Sequence, residues 1–220
     1  WRVQGAFFRL NYDYRSKYLL EVNGRYDGSS KYAKHDRWAF FPSASVGWRI
    51  SEEKFFKSLS KVVDNLKIRA SIGALGNQIT DGNHSFMSII SGKVLTNYMM
   101  DGKIVNGLNI PTLPSMVTWE KVITKDIGLD WSLFKNRLFG SFDFYVRDTK
   151  DMVRSVTLPA VLGTSGGKEN IADMRTVGWE LEMTWKDRIQ NVLGSPLDYS
   201  LTVGLSDYQA EITKYDNPNG

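Results

Sequence analysis

Cysteine is absent from this 220-residue chain, and histidine occurs only twice. Without thiols the chain has no disulfide scaffold, no thiolate metal centre and no thiol nucleophile. His35 and His84 lie in separate predicted loops, whereas a zinc site needs three or four ligands at close spacing. We therefore predict neither a metal site nor a cofactor. No Ser-His-Asp set stands out, so an enzyme is not expected.

Two further absences narrow the class of protein. No apolar run approaches the roughly 18 residues that a membrane-spanning helix needs. The 28 basic and 24 acidic residues are scattered without a basic block, so no nucleic-acid partner is expected. Aromatic residues, in contrast, make up 13% of the chain. They are typical both of strand-rich proteins and of the interfacial belts of membrane proteins.

The stretch from Val177 to Trp185 alternates strictly between apolar residues and small or polar ones. A strand would place its five apolar side chains on one face and both Glu180 and Glu182 on the other. A soluble β-sandwich would bury the apolar face in its core. An outer-membrane barrel would turn that face to lipid and keep the glutamates in a wet lumen. One strand fits both folds, so the decision depends on the other strands and their loops.

About eight segments alternate in this way, which predicts an all-β, antiparallel fold. The predicted strands are Ala6 to Tyr14, Tyr18 to Gly28, Trp38 to Ile50, Leu66 to Gly73, Trp119 to Leu133, Leu138 to Arg147, Val177 to Trp185 and Leu197 to Ser206. Between Ser51 and Asn65 the period becomes helical, which predicts one short amphipathic helix with Ser51 as its N-cap.

The predicted connections alternate in length. Short or medium links alternate with longer ones, of which Gly76 to Thr118 and Asp148 to Arg175 are the longest; Lys186 to Pro196 is a shorter link. Outer-membrane barrels have this parity, with periplasmic turns on one side and extracellular loops on the other. A sandwich has no reason to keep it, so we favour a transmembrane β-barrel and place the helix on the periplasmic side.

The polar face of these strands carries many charges, which need water, counter-charges or a polar plug. The predicted luminal residues are Arg9, Asp13, Arg25, Asp27, Arg69, Asp130, Asp143, Arg147, Glu180 and Glu182. The first strand starts and the last one ends on the long-loop side, whereas a complete barrel has both termini in the periplasm. We therefore expect both ends to be cut and the chain to be an arc of a larger barrel. A small self-contained outer-membrane barrel and a soluble β-sandwich binding module remain the alternatives.

Three aromatic residues of the presumed extracellular loops are candidate ligand contacts. Tyr32, Trp38 and Tyr98 could stack on a sugar or a peptide, as amphipathic rings do at binding sites. The alternative is that they pack the loops together or belong to an interfacial belt.

Several segments resemble, in order, the C-terminal barrel region of SusC-like (SusC/RagA family) TonB-dependent transporters of Bacteroidetes. They are YLLEVNGRYDGSSKYA (Tyr18 to Ala33), FFPSASVGWRISEEKFF (Phe40 to Phe56), LKIRASIGALGNQ (Leu66 to Gln78), WEKVITKDIGLD (Trp119 to Asp130), FDFYVRDTKDM (Phe142 to Met152), ADMRTVGWELEMTW (Ala172 to Trp185) and LSDYQAEITKYDN (Leu205 to Asn217). These segments cover most of the chain.

The resemblance implies that residues 1–220 are part of the barrel domain of such a receptor, without its plug and N-terminal extension. It implies about 8 strands of a 22-stranded plugged barrel in the cell outer membrane, surrounded by lipid. It also implies a SusD-like lipoprotein lid, energy from the TonB complex and import of nutrients, either glycan oligosaccharides or peptides.

Overall fold

A computed structural model describes residues 1–78, 94–108, 115, 117–159, 161, 166–192 and 195–216, and ten antiparallel strands run through them. Eight strands form one sheet in the order β1-β2-β3-β4-β7-β8-β9-β10, and β5 and β6 form a separate hairpin. The strands are β1 (Val3–Tyr14), β2 (Tyr18–Ser29), β3 (Trp38–Arg49), β4 (Val63–Asn77), β5 (Val94–Met100), β6 (Lys103–Leu108), β7 (Glu120–Leu133), β8 (Leu138–Ser155), β9 (Lys168–Val192) and β10 (Ser195–Tyr215).

The all-β antiparallel prediction is confirmed, and each of the eight predicted strands corresponds to one strand of the large sheet. Through the middle of the sheet, apolar residues of one strand mostly face apolar residues of the next strand. One such row crosses the whole sheet. It contains Tyr14, Tyr18, Trp48, Ile68, Leu129, Phe142, Leu181 and Leu205. We call it the reference row.

The connections predicted from the sequence are longer than those in the structure. Strands β8 and β9 take up most of Asp148 to Arg175, and β9 and β10 take up all of Lys186 to Pro196 except residues 193–194, which lie outside the described residues. Within Gly76 to Thr118 the described residues include the β5–β6 hairpin. Side-chain alternation fades at these strand ends. The backbone ladder continues there because its hydrogen bonds do not depend on side-chain polarity.

A short helical stretch is present where the amphipathic helix was predicted, but its form, length and cap differ from the prediction. Two 3-10 helices, Ile50–Glu52 and Lys54–Ser58, make up this stretch, and neither has a side-chain cap. Ser51 lies inside the first helix, and its hydroxyl donates to the side-chain oxygen of Asn65. Glu53 is extended and interrupts the helical run. None of the helices in the described ranges is long and apolar enough to cross a membrane.

The side chain of Glu53 links residues of two neighbouring strands. Its carboxylate accepts hydrogen bonds from the Tyr18 hydroxyl at 2.8 Å, the Lys17 ammonium at 3.0 Å and the Trp48 indole at 3.3 Å. These donors connect the start of β2 with the end of β3. We name this side of the sheet, which also carries the 15–17 and 134–137 turns, the short-turn end; the opposite side is the long-loop end.

The large sheet does not close on itself. In the described ranges β1 pairs only with β2, and β10 pairs only with β9. This open sheet does not favour the alternative of a small self-contained outer-membrane barrel. The soluble β-sandwich is not favoured either, because no second sheet covers the apolar face in the described ranges: Ile127 and Leu201 are more than 60% exposed. An open arc of a larger barrel is consistent with both features.

The Glu53 contacts predict a pH-dependent contribution to stability. The donors from Tyr18 and then Lys17 hold the pKa of the Glu53 carboxyl below its usual value near 4.5. A depressed folded pKa contributes stability above the unfolded pKa and loses it as pH falls through the folded value. We expect Glu53→Gln in the full-length protein in detergent micelles to lower the urea midpoint at pH 7 but not near pH 3. Trp fluorescence measures both midpoints.

The control is Glu52→Gln, which removes the neighbouring carboxylate from the same turn. It should leave the midpoint unchanged at both pH values. An equal and pH-independent shift in the two variants would contradict the assigned role of Glu53.

Candidate functional site

The face opposite the apolar one collects the charged residues of the sheet. The register places all ten predicted luminal residues on this face: Arg9, Asp13, Arg25, Asp27, Arg69, Asp130, Asp143, Arg147, Glu180 and Glu182. On β8 and β9, for example, Asp143 lies directly opposite Glu180. We call this the polar face.

The most connected group on the polar face is the Arg69 guanidinium of β4. It contacts Asp130 of the neighbouring β7 at 3.1 Å, Asp126 of the same strand at 3.3 Å, and Asp143 of β8 at 2.6 Å. The Lys67 ammonium reaches Asp130 at 3.3 Å as well. One arginine therefore joins three carboxylates on two strands, which makes a charge network rather than isolated surface pairs.

Gly128 allows this network to form. In the register Gly128 stands between Arg69 on one side and Asp143 on the other. A Cβ atom at Gly128 would lie 2.5 Å from Cζ of Arg69 and 2.6 Å from a carboxylate oxygen of Asp143. Any side chain would therefore collide with the guanidinium that crosses β7. Glycine at this strand position exists for a close approach rather than for a turn.

Two members of this network are not among the luminal residues predicted from the sequence. Asp126 and Lys67 have the same alternation parity as Asp130 and Arg69, and that signal identifies them. Elsewhere on this face, Arg25 pairs with Asp27 at 3.1 Å, and Arg9 donates to the side-chain oxygen of Asn23 at 2.7 Å.

The curvature of the sheet turns part of this face into an open groove of about 550 Å³. Its polar lining includes Asn11, Glu21, Lys67, Arg69 and Asp126. These side chains offer both hydrogen-bond donors and acceptors.

A second cluster lies at the long-loop end and is apolar. Tyr32, Phe41 and Trp119 pack together, with ring centroids 5.1 Å apart for Tyr32 and Trp119 and 5.5 Å apart for Phe41 and Trp119. The pairing of β3 with β4 ends at Ser43 and Gly73, although both strands continue beyond that pair. The cluster therefore lies where the two strands are no longer paired.

Hydrogen bonds fasten this cluster to the loop backbone. The Trp119 indole donates to the carbonyl oxygen of Arg37 at 3.2 Å, and the Tyr32 hydroxyl donates to that of Asn77 at 3.4 Å. Burial and the nearby Glu120 carboxylate raise the pKa of Tyr32 to about 12. The hydroxyl is therefore neutral at physiological pH and serves as a donor.

The three predicted ligand aromatics have different positions. Tyr32 is 1% exposed, so its ring packs the loop cluster and does not fit a ligand-stacking role in this conformation. Trp38 is the first residue of β3 rather than a loop residue; it lies on the apolar face and stacks on Tyr26 at 5.1 Å. Both positions favour the packing and belt alternatives. Tyr98 belongs to β5, and its side chain lies outside the described residues.

Comparison with known proteins gives consistent matches. Residues 2–220 match the family model described as "TonB dependent receptor-like, beta-barrel". The TonB-dependent receptor P26 of Formosa agariphila is 31% identical over 96% of this chain, and the TonB-dependent receptor SusC of Bacteroides thetaiotaomicron is 30% identical over 89%. The chain covers 20% of the length of each of these two relatives.

The fold has a close counterpart among solved structures. The structure of the RagAB peptide transporter superposes with a TM-score of 0.80 at 28% sequence identity. The superposition covers 97% of this chain and 22% of the matched chain. The chain is thus similar to about a fifth of a much longer barrel protein.

The Arg69 network predicts an asymmetric response to mutation. Arg69→Gln leaves three carboxylates of the polar face without their shared cation, and we expect a loss of about 2 kcal/mol in the free energy of unfolding. Removing one carboxylate as well, in Arg69→Gln/Asp143→Asn, should recover part of that loss. Urea titration of the full-length protein in detergent micelles measures both values.

Arg9→Gln is the matched control, because the Arg9 side chain is 64% exposed and its nearest carboxylate is 3.8 Å away. Its expected cost is within about 0.5 kcal/mol. Equal losses for Arg69→Gln and Arg9→Gln, or no recovery in the double variant, would show that the network contributes nothing.

Proposed function

Because the chain belongs to the family of TonB-dependent receptor β-barrels, we propose that it forms part of the barrel wall of an outer-membrane nutrient importer. In this role the apolar face contacts lipid and the polar face lines the lumen. The chain contributes eight strands to a larger barrel, of which about 22 would close the wall. Its work is transport rather than catalysis.

The observation that carries this proposal is a diagonal drift of the apolar band. Towards the short-turn end, six of the eight strands carry an aromatic residue on the apolar face, namely Tyr14, Tyr18, Trp48, Trp131, Trp185 and Tyr199. The first three belong to the reference row. Trp131 lies two residues beyond that row, Trp185 four and Tyr199 six, always towards the short-turn end.

A drift of six residues over seven steps between neighbouring strands has a simple geometric meaning. With about 3.4 Å per residue and about 4.8 Å between strands, it corresponds to a strand tilt of about 30°. When strands cross a flat bilayer at such a tilt, the part of each strand that lies in lipid shifts from one strand to the next. The apolar residues must shift by the same amount. Membrane barrels tilt their strands by about 35–45°, which is close to this value.

A second group of aromatic residues marks the other edge on β1–β3. Phe8, Tyr26, Trp38 and Phe40 lie on the apolar face towards the long-loop end. On β2 the two edges, Tyr18 and Tyr26, are eight residues apart, which spans about 23 Å at the inferred tilt. This matches the band of about 25 Å between the aromatic girdles of outer-membrane barrels.

The polar face has the composition that a plugged lumen requires. The charge of Arg69 partly offsets those of its three carboxylate partners. Glu180 and Glu182 are exposed to solvent or to a partner. The long-loop end faces the exterior in this orientation, so a SusD-like lipoprotein lid would dock there. Energy would come from the TonB complex through parts of the protein beyond these residues.

Two substrate classes fit the proposal, glycan oligosaccharides and peptides. The solved structure with a TM-score of 0.80 is of a peptide transporter, whereas the name of the SusC relative states no substrate. Tyr98 remains the candidate ligand contact among the three aromatics named from sequence. The uptake experiment therefore includes both classes of substrate.

The test uses neighbouring residues of β9 that carry the same new side chain on opposite faces. Leu181→Lys places a charge against lipid near the middle of the band and should cost about 2–4 kcal/mol, so little folded barrel reaches the outer membrane. Glu182→Lys places the same charge on the polar face and should leave the folded amount unchanged. Heat-modifiable electrophoretic mobility of the outer-membrane fraction measures both in a strain that lacks the native gene.

The same strains are assayed for uptake of labelled oligosaccharides and peptides and for co-purification of a surface lipoprotein. Wild type should restore the uptake of one class and retain the lipoprotein. Equal outer-membrane levels of the two variants, or uptake of neither class by the wild type, would contradict the proposed function.

A further inference from the structure

Four cations lie on the apolar side of the sheet just beyond its upper edge. Lys121 and Lys125 of β7, Lys150 of β8 and Arg175 of β9 share the face of Ile127, Phe144 and Trp179 in the register. We call them the cation row. They belong to the side of the wall that, under the proposed function, meets lipid and not to the polar face.

The row begins where the apolar band ends. Lys125 stands between Ile72 of β4 and Val146 of β8, so its stem lies on the apolar surface. Arg175 lies two residues beyond Val177, opposite Asp148. A lysine in this position extends its ammonium upward along the wall while the methylene stem stays on the apolar surface. The charged ends therefore gather at the height of the outer-leaflet headgroups.

Two of the cations have an acidic partner that is less exposed than the cation itself. Arg175 is 45% exposed in its side chain and its Asp148 partner 10%, at a contact of 2.7 Å. Lys150 is 38% exposed and its Asp173 partner 16%, at 2.8 Å. In each pair the cation is the more exposed member, so the cation is the group more accessible to a headgroup.

Two members of the row face each other with the same charge. Lys121 and Lys150 are direct cross-strand partners on the same side of the sheet. Like charges directly opposite each other destabilise a strand pair. Lys121 has a carboxylate, Asp151, only at 3.8 Å, and Lys125 has none within ion-pair distance in the part of the chain that the structure describes. An external anion between these lysines would relieve the repulsion.

We propose that the cation row binds the phosphorylated headgroup of an outer-leaflet glycolipid. The inference rests on the proposed function, because only an outer-membrane orientation puts a lipid headgroup at this height. Phosphate oxygens accept from several ammonium groups at once, and the acyl chains of the same molecule would cover the apolar residues below. On β10 the same face carries Asp207 and Glu211, so the binding surface is confined to β7–β9.

Each cation near a charged membrane surface contributes about 1 kcal/mol, which corresponds to about a fivefold change in affinity. Lys125→Gln alone should therefore weaken binding about fivefold. Lys121→Gln/Lys125→Gln should weaken it about thirtyfold. Both variants leave the Arg175–Asp148 and Lys150–Asp173 pairs in place, so the fold of the wall should be preserved.

The experiment uses the full-length protein in dodecyl maltoside micelles, titrated with bisphosphorylated lipid A and followed by microscale thermophoresis. Lipid A without its phosphates should bind at least tenfold more weakly to the wild type. Inorganic phosphate at the same concentration should not compete, because it has no acyl chains to place on the apolar surface.

The matched control is Lys57→Gln/Lys61→Gln, which removes two exposed lysines at the short-turn end. It should bind bisphosphorylated lipid A as the wild type does. Equal affinity in the control and the Lys121/Lys125 variant, equal binding of the dephosphorylated lipid, or full competition by inorganic phosphate would each overturn the inference.

If the proposed function itself is wrong, the experiments give a different result. A wild-type protein that is missing from the outer membrane removes the premise itself. A protein that folds in the outer membrane and imports its substrate, but does not distinguish the phosphorylated lipid, contradicts this inference alone.

Discussion

The structure depends on one constraint, which is that each strand separates an apolar environment from a polar one. Successive side chains of a strand point to opposite faces, so a single sheet can be apolar on one face and polar on the other. A bilayer adds a second demand, because every backbone N–H and C=O group within it must be paired. The eight strands satisfy that demand internally through their ladders. In the described ranges, β1 and β10 each have one edge without a partner strand.

The polar face shows how charge is tolerated in a thin wall. Arg69 does not pair with one carboxylate but crosses β7 to reach Asp143, and Gly128 supplies the space. The resulting network spans three strands and fixes their register from the polar side, while the apolar row fixes it from the other. A shift by one residue would bring Arg69 and the reference row to the wrong faces together. Register is therefore specified twice.

Much of this was predictable from the sequence because the alternation is strong where both faces meet contrasting environments. The eight strands, their faces and the ten charged residues of the polar face follow from period-two patterning alone. The ends of β8, β9 and β10 do not, because polar residues occupy both faces there and leave no pattern to read. The helix at Ser51 was predicted from spacing, but contacts from Tyr18, Lys17 and Trp48 hold Glu53 in an extended conformation.

The exposure of the aromatic residues assigned to loops could not be predicted from the sequence. Exposure of an aromatic residue in a loop cannot be read from its neighbours, since it depends on which distant segment packs against it. Tyr32 packs against Trp119, which lies 87 positions further along the chain, and Trp38 stacks on Tyr26 of the adjacent strand. Asp126, in contrast, was within reach of sequence reasoning, because its parity equals that of Asp130.

The central claim is that one face of this wall contacts lipid, and adjacent residues of β8 test it most directly. Bimane attached to Cys in Phe144→Cys and in Tyr145→Cys of the full-length protein, reconstituted in bilayers of brominated phospholipid, reports contact with acyl chains. The account predicts strong quenching at position 144, on the apolar face, and weak quenching at position 145, on the polar face. Equal quenching at the two positions, or the reverse order, would contradict it.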